Sequence, residues 1–151
     1  MIEEKINQLG FTLPPAPKPL ASYIPAVRAG DLVYTAGQLP MKEGSLAYKG
    51  KLGRDLNEDE GKKAAQVCAL NCLSVIKNEI ESLDKIDRVI KLTVFVSSSE
   101  GFFNQPQVAN GASDLMKEIF GEKGKHVRSA VGVAELPLNA PVEIEMIVKV
   151  N

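Results

Sequence analysis

The chain lacks tryptophan and contains a single histidine and only two cysteines. One histidine cannot build a histidine-rich metal site, and two cysteines give no disulfide framework. Cys68 and Cys72 are four residues apart in a stretch with helical spacing, so we interpret them as small core residues on one helix face. The sequence therefore predicts no metal site.

Neither sign of charge dominates the chain, which has 18 Lys and Arg, 19 Asp and Glu, and a net charge of -1. A nucleic-acid-binding surface needs an excess of cations to displace counterions, and the overall balance shows none. The N-terminal run MIEEKINQLG is too acidic for a signal peptide, and no apolar run is long enough to span a bilayer. We therefore expect a cytoplasmic protein with no nucleic-acid partner and no membrane partner.

The composition is that of an ordinary globular domain, with 44% apolar and 25% charged residues in 151 positions. We expect one domain over residues 1–151, beginning with a short helix that ends near Gly10. Four prolines between Phe11 and Leu20 exclude a regular helix or a central strand there. Residues 1–22 are thus predicted to be a short helix followed by an extended arm on the surface.

Hydrophobic periodicity and capping signals predict the remaining elements. Asn57 followed by Glu60 predicts a capping box and a long helix that ends near Glu81, and Pro106 opens a second helix. Strands are predicted at Leu32–Thr35, in a hairpin around Gly44 and Gly50, and at Arg88–Ser97, Val127–Ala134 and Val142–Val150. This order is typical of a two-layer α+β domain in which two helices cover one face of a mixed sheet.

Alternation along the strand at 127–134 separates a row of valines from a row that starts with Arg128 and continues with Ala130 and Gly132. We expect the valines to face the helices and Arg128 to stand on the open face, beside a space left by small side chains. A guanidinium in that position is suited to bind a carboxylate through two parallel hydrogen bonds. Ordinary surface charge is the alternative interpretation.

In the last strand, Glu143 and Glu145 are predicted to lie on the uncovered face. A simple hairpin between the last two strands would pair Arg128 with residues near Lys149, far from Glu143. If Arg128 and Glu143 share a site, a second subunit or another strand arrangement must bring them together. The pattern therefore favours an oligomer with sites at its interfaces. His126 is the one histidine available to a catalytic triad, and no serine is marked as its partner.

Several runs together carry a family resemblance: Ser22-Tyr23, YTAGQLP from Tyr34 to Pro40, Val94-Phe-Val96, RSAVGVAELP from Arg128 to Pro137, and VEIE from Val142 to Glu145. With them the chain resembles a longer branch of the reactive intermediate deaminase (Rid, YjgF-like, L-PSP-type) family. The resemblance implies a chorismate-mutase-like fold and a homotrimer with sites between subunits. It also implies hydrolysis of 2-iminobutanoate or 2-iminopropanoate to 2-oxo acids and ammonia, without a cofactor.

The resemblance also assigns roles by position. Arg128 matches the arginine that binds the substrate carboxylate, and Glu143 matches the acid that orients or activates water. The ligand-contacting positions of the family fall on Tyr23, Gly37, Asn110 and Ala130. Two of the family's polar side chains are missing, because Ala130 replaces a cysteine and Ala36 replaces a serine. A trimer that binds a small carboxylate metabolite without turning it over, and an endoribonuclease, are the alternatives.

Overall fold

The computed structural model describes residues 1–17 and 22–151. The helices and strands in these residues are α1 (Ile2–Gln8), β1 (Ala26–Ala29), β2 (Leu32–Thr35), β3 (Met41–Lys42), β4 (Ser45–Leu46), α2 (Glu58–Ile80), β5 (Ile86–Ser97), α3 (Gln105–Phe120), β6 (Val127–Val133) and β7 (Val142–Val150). Short 3₁₀ turns occupy Leu83–Lys85, Gly121–Gly124 and Pro137–Asn139.

Five of the strands form one mixed sheet in the order β1-β2-β7-β5-β6. β5 and β6 are parallel, and α3 provides the long crossover that parallel neighbours require. The other neighbours are antiparallel, and β3 and β4 form a separate small hairpin. Since α2 and α3 pack against each other and against the sheet, the predicted two-layer α+β arrangement is confirmed.

The long helix α2 starts where the sequence predicted. The Asn57 side chain accepts a hydrogen bond from the Glu60 backbone N–H at 2.9 Å, and the Glu60 carboxylate accepts one from the Asn57 N–H at 3.1 Å. Cys68 and Cys72 are free thiols on the buried face of this helix, as expected. Each donates to a carbonyl of β7, and burial raises the pKa of Cys72 to about 12.

The N-terminal segment differs in part from the prediction. Strand β1 was not predicted; it pairs with β2 through a tight turn in which Gly30 has φ of +65°. The proline-rich residues 11–17 form no helix or strand, as expected, but they do not simply lie on the surface. Phe11 and Leu13 pack against the core, and the Ser74 hydroxyl donates to the Pro14 carbonyl. The rest of the predicted arm, residues 18–21, lies outside the described residues.

Strand β5 begins two residues earlier than predicted and contains an irregularity. The pairing register with β7 shifts between Val89 and Lys91, as at a β-bulge. Val89 is therefore fully buried while Ile90 is only partly buried. Simple alternation predicted Ile90 as the inward residue, and that detail was wrong because one extra residue changes the parity of the strand.

The predicted orientation of β6 was also wrong. Arg128 is the register partner of Leu92 on β5, which is fully buried under the helices, whereas Val127 is 65% exposed. The row of small residues therefore faces α3, and the valines face away from it. A Cβ on Gly132 would lie 2.8 Å from Gln105 Nε2. The small side chains of this row therefore leave room for the first residue of α3 to pack against β6.

The last two strands do not form a hairpin, because β5 lies between β6 and β7. Their connection crosses over one strand and includes Leu138 and Asn139, both with positive φ. The pairing of Arg128 with residues near Lys149 therefore does not occur.

Candidate active site

Arg128 is held against α3 by two hydrogen bonds. Its Nη1 donates to Asn110 Oδ1 at 2.8 Å and to Ser113 Oγ at 3.1 Å. Residues three apart on a helix share a face, which places both acceptors opposite the start of β6. Arg128 remains only partly buried, so its guanidinium is accessible at the sheet edge. The structure thus brings the predicted Arg128 and Asn110 together.

His126 and Ser113 extend this cluster, and the sequence does not predict that they meet. Ser113 Oγ lies 2.9 Å from His126 Nε2, and His126 Nδ1 lies 2.7 Å from the Gly124 carbonyl oxygen. Burial lowers the pKa of His126, the bond to Gly124 opposes this, and the charge of Arg128 lowers it further. The spacing of Asn110 and Ser113 is visible in the sequence, but the approach of Ser113 to His126 depends on how α3 packs.

Glu143 lies in a second cluster with Gly37. A Cβ on Gly37 would lie 2.7 Å from Glu143 Oε2, so the carboxylate covers a glycine backbone that carries no side chain. The register of β2 and β7 runs from Tyr34 opposite Ile147 to Gln38 opposite Ile144, which leaves one extra residue on the β2 side. This bulge sets Gly37 beside Glu143.

The environment of Glu143 changes the proton affinity of its carboxyl group. Burial raises the pKa of its carboxyl group, and the neighbouring Glu145 raises it further. Within residues 1–17 and 22–151, neither a hydrogen bond nor an ion pair engages the Glu143 side chain. A carboxylate in that state is suited to take a proton from a water molecule.

The remaining predicted site residues lie near one cluster or outside both. Ala130 shares the face of Arg128 and packs partly against the core. Tyr23, just before β1, is 60% exposed, and within residues 1–17 and 22–151 its side chain forms no hydrogen bond with Arg128 or Glu143.

The two clusters are separate within one chain. Arg128 is next to Leu92, whose partner on β7 is Met146, while Glu143 is next to Phe95. Glu143 is therefore about 10 Å along the strands and about 10 Å across them from Arg128. It also points to the opposite face of the sheet. The Arg128 and Glu143 side chains of one chain therefore cannot line the same small site.

Metal-binding clusters and membrane-spanning helices are both absent from the described residues. No group of three or more His, Cys, Asp or Glu side chains there is arranged to hold a metal ion. None of the helices found in that part of the chain has the length and apolar character needed to cross a membrane.

Residues 3–149 match the family model described as "YjgF/chorismate_mutase-like, putative endoribonuclease". The chain belongs to the YjgF-like (Rid) family. Among curated YjgF-like relatives, protein TCP17 of Trypanosoma cruzi is 42% identical over 99% of this chain and 94% of its own length. A 2-iminobutanoate/2-iminopropanoate deaminase of Dermatophagoides farinae is 34% identical over 93% of this chain and 95% of its own.

Solved structures similar to this chain include two that match nearly its whole length. A protein of unknown function from Agrobacterium tumefaciens has a TM-score of 0.94 and 46% identity, covering 99% of this chain and 92% of that one. A "putative endoribonuclease" from Shewanella oneidensis has a TM-score of 0.95 and 30% identity, covering 99% of both chains. Escherichia coli TdcF with bound serine has a TM-score of 0.63 and 25% identity, covering 90% of this chain and 94% of its own.

Proposed function

We propose that this protein hydrolyses reactive imines or enamines that carry a carboxylate, of the 2-iminobutanoate or 2-iminopropanoate type, to 2-oxo acids and ammonia. The observation that carries the proposal is the partly exposed Arg128 guanidinium, fixed by Asn110 and Ser113 at the sheet edge. A fixed guanidinium suits a planar carboxylate. The deaminase from Dermatophagoides farinae, 34% identical, supports the same reaction class.

The chemistry asks little of the protein. The imine carbon is already electrophilic, so the site must hold the carboxylate, place a water molecule and move protons. Arg128 holds the carboxylate. Glu143 takes a proton from a water molecule while the water oxygen bonds to the imine carbon. With the imine nitrogen protonated, this addition gives a carbinolamine. Glu143 passes its proton to the carbinolamine nitrogen and then accepts the hydroxyl proton as the C–N bond breaks, which releases ammonia and the 2-oxo acid. The raised pKa of Glu143 favours its part in these proton transfers.

The proposed site requires more than one copy of the chain. Arg128 and Glu143 lie on opposite faces of the sheet, so one copy contributes the arginine and a neighbour contributes the glutamate. We place three such sites in a homotrimer whose subunit is one domain over residues 1–151. The open sheet face, with Val27, Tyr34 and Val131 exposed, supplies apolar surface for this contact. Tyr23, Gly37 and Ala130 remain proposed ligand contacts.

One alternative is a trimer that binds a small carboxylate metabolite without turnover. Ala36 and Ala130 favour it, since two polar side chains of deaminases in the family are absent. An endoribonuclease is a weaker alternative, although the family and some solved structures of its relatives are described with that activity. The net charge of -1 gives little attraction for RNA phosphates.

The test is the rate at which purified protein removes 2-iminobutanoate and 2-iminopropanoate generated in situ. We expect acceleration by the wild type and its loss in Arg128→Ala. Glu143→Gln should keep ligand binding and lose turnover, because its amide cannot accept the proton from water. Arg54→Ala is the matched control: Arg54 is an exposed arginine that pairs with Asp55.

Each outcome assigns a function. Turnover that persists unchanged in Arg128→Ala would exclude Arg128 as the carboxylate ligand. Saturable binding of 2-oxobutanoate by the wild type without turnover of either imine would select the binding trimer. RNA cleavage that copurifies with the chain and disappears in Arg128→Ala would select the endoribonuclease.

A further inference from the structure

A directed chain of hydrogen bonds ends on the Arg128 guanidinium. His126 Nδ1 faces the Gly124 carbonyl oxygen at 2.7 Å, and because a carbonyl only accepts, Nδ1 carries the ring proton. In the neutral ring Nε2 is then an acceptor, so the Ser113 hydroxyl must donate to it at 2.9 Å. The oxygen lone pairs of Ser113 are left to accept from Arg128 Nη1 at 3.1 Å.

The state of His126 agrees with this direction. The ring is partly buried, which lowers its pKa, and the nearby charge of Arg128 acts the same way, although the bond to Gly124 opposes both. The neutral ring therefore dominates at pH 7. Hydrogen bonds in such a series polarise one another, and the Ser113 oxygen becomes a better acceptor for a cation than an isolated hydroxyl.

Only part of the guanidinium is used by these contacts. Nη1 has two N–H groups, and both are taken, one by Asn110 and one by Ser113. For Nε and Nη2 there is no hydrogen-bond partner among residues 1–17 and 22–151. The arginine therefore presents one edge, the side formed by Nε and Nη2, with two parallel N–H groups.

From this geometry we infer that Ser113 and His126 are positioning residues for Arg128, which they hold so that a ligand carboxylate binds side-on to Nε and Nη2. The inference rests on the proposed role of Arg128 in binding a carboxylate. The end-on mode, through Nη1 and Nη2, is blocked because both Nη1 hydrogens already have acceptors. A fixed fork also loses less side-chain entropy on binding than a free arginine would lose.

The proposal assigns a different role to each residue of the cluster. Asn110 directs its oxygen to Arg128, so it too acts on the ligand through the arginine. Ser113 supplies the second acceptor and His126 fixes the direction of the serine proton. None of the three takes part in the bond changes at the imine carbon, so their removal weakens ligand binding rather than the chemical step.

The experiment is calorimetric titration of 2-oxobutanoate, the expected product, into the wild type and variants, with 2-oxobutanamide as the ligand without a carboxylate. Removing a hydrogen bond to a charged group raises the Kd about tenfold, which is the effect expected for Ser113→Ala. Ser113→Thr keeps the hydroxyl and should restore most of the affinity. His126→Phe should weaken binding in the same direction by a smaller factor. Ser45→Ala, on the exposed β3–β4 hairpin, is the control.

A second readout separates positioning from general damage. In the deaminase assay KM should rise in Ser113→Ala by the factor seen in Kd, while kcat changes little. Wild-type affinity in both Ser113→Ala and His126→Phe would overturn the inference. Binding that depends on Ser113 without any turnover would support the inference and reject the deaminase proposal. Failure of the wild type to bind 2-oxobutanoate would overturn the inference, whereas the deaminase proposal is decided by the turnover assay alone.

Discussion

Arg128 and Glu143 lie on opposite faces of one sheet, three register positions and two strands apart. Arg128 faces α3, whereas Glu143 stands on the open face over Gly37. A reaction that uses both side chains therefore has to draw them from different subunits. This relationship makes the assembly part of the proposed chemistry, and it can be tested directly.

The first prediction is complementation between two inactive variants. Arg128→Ala and Glu143→Gln subunits, coexpressed in equal amounts, should form mixed trimers in which some interfaces pair an intact arginine with an intact glutamate. Random mixing makes about one quarter of the sites complete, so about one quarter of the wild-type rate should return. The two variants purified separately and assayed together without subunit exchange are the control. A mixed trimer that stays inactive would mean that one subunit supplies both groups.

The second prediction concerns the close approach of Gly37 and Glu143. In Gly37→Ala the new Cβ would lie 2.7 Å from Glu143 Oε2 and 2.8 Å from its Cδ. The end of a flexible side chain can move away, so the melting temperature should change little. Displacement of the carboxylate should lower kcat by about tenfold or more. On the residual rate of Glu143→Gln the same substitution should have almost no further effect, and an equal fractional loss in both backgrounds would exclude this explanation.

The third prediction uses the single histidine of the chain. Its ring protons give the only histidine signals in an NMR titration. The midpoint, which reports the pKa, should lie below the 6.5 that is usual for histidine, because burial disfavours the charged ring. Arg128→Ala removes a nearby positive charge and should move the midpoint upward, whereas Arg54→Ala should not. A midpoint at or above 6.5 in the wild type would contradict the effect assigned to burial, and a midpoint above 7 would contradict the neutral ring assigned to His126.

The same lowered pKa has a consequence for stability. The unfolded chain binds a proton at His126 more readily than the native chain does, so stability rises with pH over this window. The contribution is complete above 6.5 and is lost as the pH falls from 6.5 through the native pKa. Urea unfolding across this range should show the loss in the wild type, and His126→Phe should lack this component.

The fourth prediction tests whether the open sheet face is an interface. Val131 is 44% exposed on that face, and an aspartate there would cost little in a monomer. Between subunits, a buried and unpaired carboxylate is strongly unfavourable. Val131→Asp should therefore lower the mass measured by light scattering from trimer to monomer. Phe103→Asp is the control, because Phe103 is 82% exposed on the loop before α3 and away from the sheet face. A trimer that persists in Val131→Asp would place the interface elsewhere.

The fifth prediction concerns the contact between the two long helices. Gly111 of α3 lies so close to α2 that a Cβ would overlap the backbone carbonyl of Lys62. Neither backbone moves easily, so Gly111→Ala should lower the free energy of unfolding by about 1–3 kcal/mol despite the better helix propensity of alanine. Glu118→Ala, at an exposed position of the same helix, should leave stability nearly unchanged. Urea titration measures both variants.

The sequence by itself determined the features that depend on neighbouring residues. The capping box of Asn57 and Glu60 needs only a spacing of three, and the alternation of β7 from Val142 to Val150 needs only the pleat of a strand. Short runs such as RSAVGVAELP and VEIE also indicated Arg128 and Glu143 as site residues and predicted the family of the chain. All these signals are local, and the structure retains them.

The tertiary structure alone decided which face each strand presents and what meets there. Alternation divides β6 into two rows of side chains, but it does not determine which row a helix covers. The predicted faces of the valines and Arg128 were therefore wrong. The parallel pairing of β6 with β5 and the bulge near Val89 arise from long-range packing and closure of the sheet. The approach of Ser113 to His126 follows from the same packing, since it depends on where α3 rests on the sheet.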